Sequence, residues 1–403
     1  MAAWIIFALT YAVLAMGRLP GLRLDRTGAA IIGATLMVAV NALTPEQAYA
    51  AIHLDTIVLL FGMMIVVANL QLSGFFTLIS QRVVEHARHP LLLMVSIVAV
   101  SGLFSAFFVN DTMCLVLTPL VLEITAKLQR NPVPYLLAVA TASNVGSAAT
   151  ITGNPQNMMI GSFSGISYIH FARCLAPVAL FGLCLTVLSI YLFHRVEFQG
   201  PFTRQVERRV VRVHRGLMIK SLAAAGGMIV FFFLCWPVSK VAIVTGAVLL
   251  ITRRIKPERV YQRIDWSLLV LFAGLFVVIA GIEHTSLEDQ LKRLAAQTGL
   301  ENVYLMSALS GLLSNLVSNV PAVLVFKPFM VHLTNPDRAW LTLAMSSTLA
   351  GNLTLLGSVA NLIVVQQAAR SQVRIGFWDY AKVGAPLTLL STAAGAWWIN
   401  WHC

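Results

Sequence analysis

Polar hydrogen-bonding residues, nearly all uncharged, gather at four places in a chain that is otherwise strongly apolar. Asn110, Asp111 and Thr112 sit in VNDTMCLVLTP, and Ser318 and Asn319 sit in LLSNLVSNVPAVLV. Ser143, Asn144, Gly153, Asn154 and Asn157 fall in SNVGSAATITGNPQNMMI, and Asn352, Thr354, Gly357 and Asn361 fall in GNLTLLGSVAN. Amide side chains both donate and accept without fixed charge. A helix broken at Gly or Pro exposes backbone N–H groups, and the positive end of its dipole attracts anions. Such a set can hold a small oxyanion or weak acid and still release it, so these residues are the expected substrate contacts. Taken singly, each Asn or Thr could merely cap a broken helix; their recurrence in two places argues against that for the set.

The elements that carry them must cross a bilayer. The chain is 58% hydrophobic and 11% charged, against about 45 to 50% and 25% in soluble domains. Uncharged runs recur at Leu91–Val109, Leu222–Val238, Ser267–Ile282 and Val383–Trp401, each close to the ~20 residues a spanning helix needs. The N-terminal run after Met1 has neither a basic n-region nor a small-residue cleavage pattern and is expected to be a retained helix. The uncharged run from Asn131 to Ala172 would reach about 63 Å as one helix, twice the hydrocarbon core. It must break, and a break survives only inside protein or beside a water-filled cavity.

The net charge of +12 does not imply nucleic acid. With the N-terminus outside, 22 of the 28 Lys and Arg residues fall in alternate loops on the inner side, as the positive-inside rule expects. Lys327 is the single basic residue inside an apolar run, LVFKPFM, which makes it a functional hypothesis for anion attraction; the alternative is snorkelling to the outer surface. The five cysteines show no metal-binding spacing and are given no role.

The chain also repeats itself. Ser101, Gly102, Ser105, Asn110 and Pro119 align with Ser310, Gly311, Ser314, Asn319 and Pro328, while Thr150, Gly153 and Asn157 align with Thr354, Gly357 and Asn361. The expected division is a first repeat over 1–194, a basic cytoplasmic linker over 195–216 and a second repeat over 217–403. Loop charges place the two in opposite orientation, an inverted repeat, which together with broken helices marks secondary transporters. Because the uncharged stretch Thr112–Leu122 spans only 11 residues, each half is expected to hold five helices and a re-entrant hairpin. The hairpin tips would be Asn110-Asp111-Thr112 and Ser318-Asn319-Val320; parity leaves two complete helices open. Amphipathic stretches, TLISQRVVEHAR and SLEDQLKRLAAQ, precede the hairpins and suit helices lying in the interface.

The quoted segments resemble the signature regions of the ion transporter superfamily, which contains the arsenite permeases, the citrate and dicarboxylate transporters and the melanosomal P protein. The arsenite and bacterial anion permease branch is the nearest in pattern. The resemblance implies an all-α polytopic protein of the bacterial plasma membrane and an elevator-type mechanism in a homodimer. It also implies no cofactor, with a proton or sodium ion as coupling partner. In the carboxylate branch both tips read Ser-Asn-Thr; here a carboxylate enters the first tip and a hydroxyl leaves the second. Both changes weigh against a sodium-coupled dicarboxylate carrier, and because the ND hairpin is of the arsenite permease type the resemblance implies proton-coupled efflux of arsenite or antimonite. Uptake of sulfate, phosphate or a carboxylate, or sodium/proton antiport, stays open.

A channel would want rings of one residue type along a pore. An enzyme fits least, since neither HExxH nor GxSxG occurs; a Walker motif is also missing, so ATP coupling would need a separate ATPase subunit. Asp111 is the expected coupling group. In a dry cavity it could exchange a proton, whereas a paired Lys327 would hold it ionised.

Overall fold

The structure is a computed structural model. It describes residues 2–17, 24–86, 89–200, 202, 213–253, 255–283, 299–330 and 332–403. The second amphipathic stretch and half of the linker, Arg209 included, lie outside them, as do Arg18, Arg23 and Arg88.

Among the described residues regular structure is helical. The first half runs α1 (Ala2–Met16), α2 (Arg26–Ala39), α3 (Pro45–Ala51), α4 (Leu54–Leu72), α5 (Phe75–His86), α6 (Pro90–Phe107), α7 (Asn110–Lys127), α8 (Pro132–Ser147), α9 (Pro155–Ser164) and α10 (Tyr168–Phe193). The second runs α11 (Arg215–Phe233), α12 (Val238–Leu250), α13 (Pro257–Tyr261), α14 (Trp266–Glu283), α15 (Val303–Val317), α16 (Asn319–Met330), α17 (Pro336–Ala350), α18 (Val359–Arg370) and α19 (Phe377–His402). Five of these, α4, α6, α10, α11 and α14, are long and apolar enough to cross a membrane, and five shorter apolar helices accompany them. Leu180, Leu389, Trp397 and Trp401 stand exposed on the outer surface, where lipid rather than water suits them.

Packing pairs recur between the halves. α6 lies on α8 as α15 lies on α17, α1 on α2 as α11 on α12, and α10 on α8 as α19 on α17. The halves also interlock, α2 against α14 and α4 against α12. Small residues permit the close approaches. A side chain at Gly62 would strike the Ala242 backbone, and one at Gly274 would strike Ala30, so backbones meet where an ordinary side chain would hold them apart.

Two expectations need correction. The hairpin arm α7 is 18 residues, Asn110–Lys127, or about 27 Å of helix at 1.5 Å per residue. The charged Glu123 and Lys127 continue it as an ion-paired last turn, so the short uncharged stretch is no measure of its length. Cysteines also have a role: Cys174 of α10 and Cys403 at the chain end form a disulfide, beside the Trp398 indole N–H donating to the Cys174 carbonyl at 3.0 Å.

Candidate functional site

Each half breaks one helix, and the two breaks are built alike. Between α8 and α9 the Asn157 amide donates to the carbonyls of Ser147 and Thr150, both at 3.1 Å. Between α17 and α18 the Asn361 amide donates to Gly351 at 2.7 Å and Thr354 at 3.2 Å. In both cases the acceptors lie ten and seven residues upstream, so one side chain ties off the carbonyls that the broken helix leaves without partners. Glycine is required at the turn: a Cβ on Gly153 would enter the Ser147 backbone, and one on Gly357 would meet Asn315 and Gly351.

The caps then reach across. Asn154 caps α9 by accepting from the Asn157 N–H at 2.8 Å, and its amide donates to Thr348 of the other half at 3.2 Å. Ser358 caps α18 by accepting from the Ala360 N–H at 3.2 Å, and its hydroxyl donates to Asn144 at 3.1 Å. Thr348 and Asn144 occupy matching positions in the two halves. The cross-contact is therefore reciprocal, each half's cap bonding the other half's unbroken helix end.

Asn144 is the hub. Completely buried, it accepts from Asn110 at 3.0 Å and Ser358, and donates to Asn352 at 2.9 Å and Asn361 at 3.0 Å. Five residues drawn from α7, α8 and the second break thus share one polar network in an apolar interior. Asn319 is held separately by the Ser314 hydroxyl at 2.9 Å, and Thr354 donates to Asn315 at 2.9 Å. Ser143 shares a contact of 2.9 Å with the Cys114 thiol.

A cavity of about 70 Å³ opens beside the network, enough for roughly five water-sized guests. Asn110, Asp111, Ser318, Asn319, Gln156 and Ser358 supply its polar wall, and Arg26, Leu14, Leu268 and Leu271 face them from α1, α2 and α14. Both tips thus meet in one place. Ser143, Asn144, Asn157, Asn352, Thr354 and Asn361 stand behind that wall and position it rather than line it; Thr112 is likewise outside the lining. Asn110 is 3% exposed, and its amide oxygen has no hydrogen-bond partner among the described residues. Ser318 holds φ +80°, ψ 160°, a conformation nearly reserved for glycine.

Lys327 is elsewhere. Its ammonium donates to both carboxylate oxygens of Glu283 at 3.0 and 3.2 Å and lies 5.3 Å from the Phe163 ring centre. Its ion-pair partner is thus Glu283, at the end of another apolar run, rather than Asp111, and Lys327 is not among the residues that line the cavity. The sequence pattern also missed Arg26, Gln156 and Ser358. Arg26 counted only among the inner-loop charges, although it is the first residue of α2. Ser358 could have been found, since it aligns with Asn154.

The profile of the citrate transporter family, CitMHS, matches residues 4–350. The chain is 32% identical to silicon efflux transporter LSI3 of Oryza sativa subsp. japonica, over 93% of this chain and 92% of that one. It is 32% identical to an uncharacterized transporter of Mycobacterium tuberculosis strain H37Rv, over 97% and 96%. A putative transporter arsB of Dictyostelium discoideum is 24% identical over 93% and 87%. Among solved structures the YdaH transporter of Alcanivorax borkumensis superimposes with a TM-score of 0.66 at 15% identity, covering 99% of this chain and 97% of that one, a likeness of fold. Family profile, relatives and fold agree: the chain belongs to the citrate transporter family, within the ion transporter superfamily, and is a multi-pass membrane transporter.

Proposed function

We propose that the chain exports a small weak acid in its neutral, hydroxylated form, arsenite or antimonite first, in exchange for protons. The observation that carries this is that Asn110, whose buried amide oxygen has no hydrogen-bond partner among the described residues, and Asp111 line one cavity. Both are acceptors. A fully ionised oxyanion has no proton to give them, whereas a trihydroxy or tetrahydroxy acid donates to both and accepts from Asn319, Gln156 and Ser318. Charge supports the same reading. Among the described residues one arginine and one carboxylate line the cavity, so a tricarboxylate would leave charge buried and unmatched. The silicon efflux transporter, 32% identical, handles an element whose acid is of this class.

The repeat and its motion are part of the proposal. The equal spacing of the Asn157 and Asn361 bonds and the reciprocal caps support an inverted repeat with hairpins α6–α7 and α15–α16. In an elevator reading, α6 to α10 and α15 to α19 would move against α1, α2, α4, α11, α12 and α14. The family's description as citrate transporters favours a second reading, carboxylate uptake. Purified protein in proteoliposomes decides between them. Arsenite or silicic acid should show saturable counterflow and outward accumulation driven by an imposed proton gradient. Counterflow of citrate with none of either hydroxy acid would overturn the proposal.

A further inference from the structure

The cavity has two walls of different origin. Asp111, in the first turn of α7, belongs to the first hairpin; Arg26 begins α2 on the opposite wall. Arg26 sits on a stiff frame. Asp25 caps α2 by accepting from the Gly28 N–H at 2.8 Å, the Thr27 hydroxyl donates to Ser267 of α14 at 3.3 Å, and one turn on, Ala30 meets Gly274 backbone to backbone. Neither Arg26 nor Asp111 has an ion pair among the described residues. Among the described residues they are the only cation and the only carboxylate lining the cavity. The other acids nearby are occupied as caps: Asp25 on Gly28, and Asp265 on the Leu268 N–H at 3.0 Å. Cys114 below Asp111 is engaged with Ser143.

We propose that Arg26 is a positioning residue that enforces coupling: it holds the ionised Asp111 against the frame and so forbids the empty, deprotonated carrier from crossing. This rests on the proton-exchange reading above. In the conformation seen here Asp111 gives its proton to water, and its carboxylate is drawn to Arg26. A hydroxylated acid entering the cavity donates hydrogen bonds to that carboxylate in place of Arg26, and the hairpins can leave the frame with it. On the far side the acid departs, the carboxylate takes a proton from water, and the neutral group returns. One proton enters for each molecule exported. A carboxylate leaving its arginine with neither proton nor substrate would cross apolar surroundings as a bare charge, which is strongly unfavourable.

The test uses the full-length protein in proteoliposomes with arsenite as the probe and a trapped pH dye. Wild type should exchange arsenite for arsenite freely but show little net efflux when no protons are supplied. In Arg26→Gln the ratio of proton-independent net efflux to exchange should rise by about tenfold or more, the factor that 1.4 kcal/mol supplies. Protons moved per arsenite should fall below one, and Arg26→Lys should restore most of the ratio. In an Asp111→Asn background, Arg26→Gln should change nothing further. An Arg26→Gln protein with wild-type proton stoichiometry overturns the inference, as does equal loss of exchange and net efflux in both arginine variants. Wild-type protein that moves no arsenite at all instead overturns the substrate reading beneath it.

Discussion

Replacing Asn144 by leucine keeps the branching at Cγ, adds bulk, and removes every side-chain hydrogen bond at the hub. The Asn110 amide loses its acceptor at 3.0 Å, the Ser358 hydroxyl loses its acceptor at 3.1 Å, and Asn352 and Asn361 each lose a donor. Counting only the first two as stranded, each buried group costs about 1–3 kcal/mol, so about 3 kcal/mol is a conservative total. Spread over 403 residues at roughly 2 cal/mol/K per residue, that lowers Tm by about 3–4 °C. The Asn144→Leu protein should melt that much earlier in detergent and bind arsenite far more weakly, because Asn110 and Ser358 both line the cavity. A Tm within about 1 °C of wild type, with unchanged arsenite affinity, refutes the hub, since no buried network can lose its centre without effect.

Further outcomes follow from the same geometry. Asn110→Ala and Asn319→Ala should each weaken arsenite binding about five- to 150-fold, or ~1–3 kcal/mol, read by titration; wild-type affinity in both would place the substrate elsewhere. The Lys327–Glu283 pair, about a third exposed on each side chain, should show a coupling of about 1 kcal/mol in a double-mutant cycle on stability, with Lys327→Glu/Glu283→Lys recovering most of the loss; purely additive single effects would mean the pair contributes nothing. Thiol labelling of unfolded protein should modify three cysteines before reduction and five after it, because Cys174 and Cys403 are bonded. Gly153→Ala should impair folding, measured as loss of monodisperse protein, since its methyl would enter the Ser147 backbone.

Much of this was legible because the sequence repeats its breakers. Gly153 with Asn157 and Gly357 with Asn361 located both helix breaks, since a lipid-embedded run can break only where side chains satisfy the freed backbone. Asn110 and Asn319 were found through the same repetition and do meet at one cavity. The surroundings of Arg26 and Lys327 were not legible, for a common reason. Periodicity and loop charge say which helix a side chain belongs to but not which partner from a distant helix faces it. Glu283 and Lys327 lie 44 residues apart in sequence, and no local pattern joins them. The Cys174–Cys403 bond spans 229 residues, so it too was invisible until the last helix was laid against α10.

Asp111 has no counterpart across the repeat, because the matching position in the second tip is Val320. Asp111 is therefore the one ionisable group in the two tip triplets. If it carries a proton inward for each neutral acid carried out, every turn moves one net charge through the bilayer. Membrane voltage would then add to the pH gradient, by about 2.3 kcal/mol per 100 mV for that charge. Export would continue at equal pH on both faces for as long as the cell stayed polarised, and would fail on depolarisation.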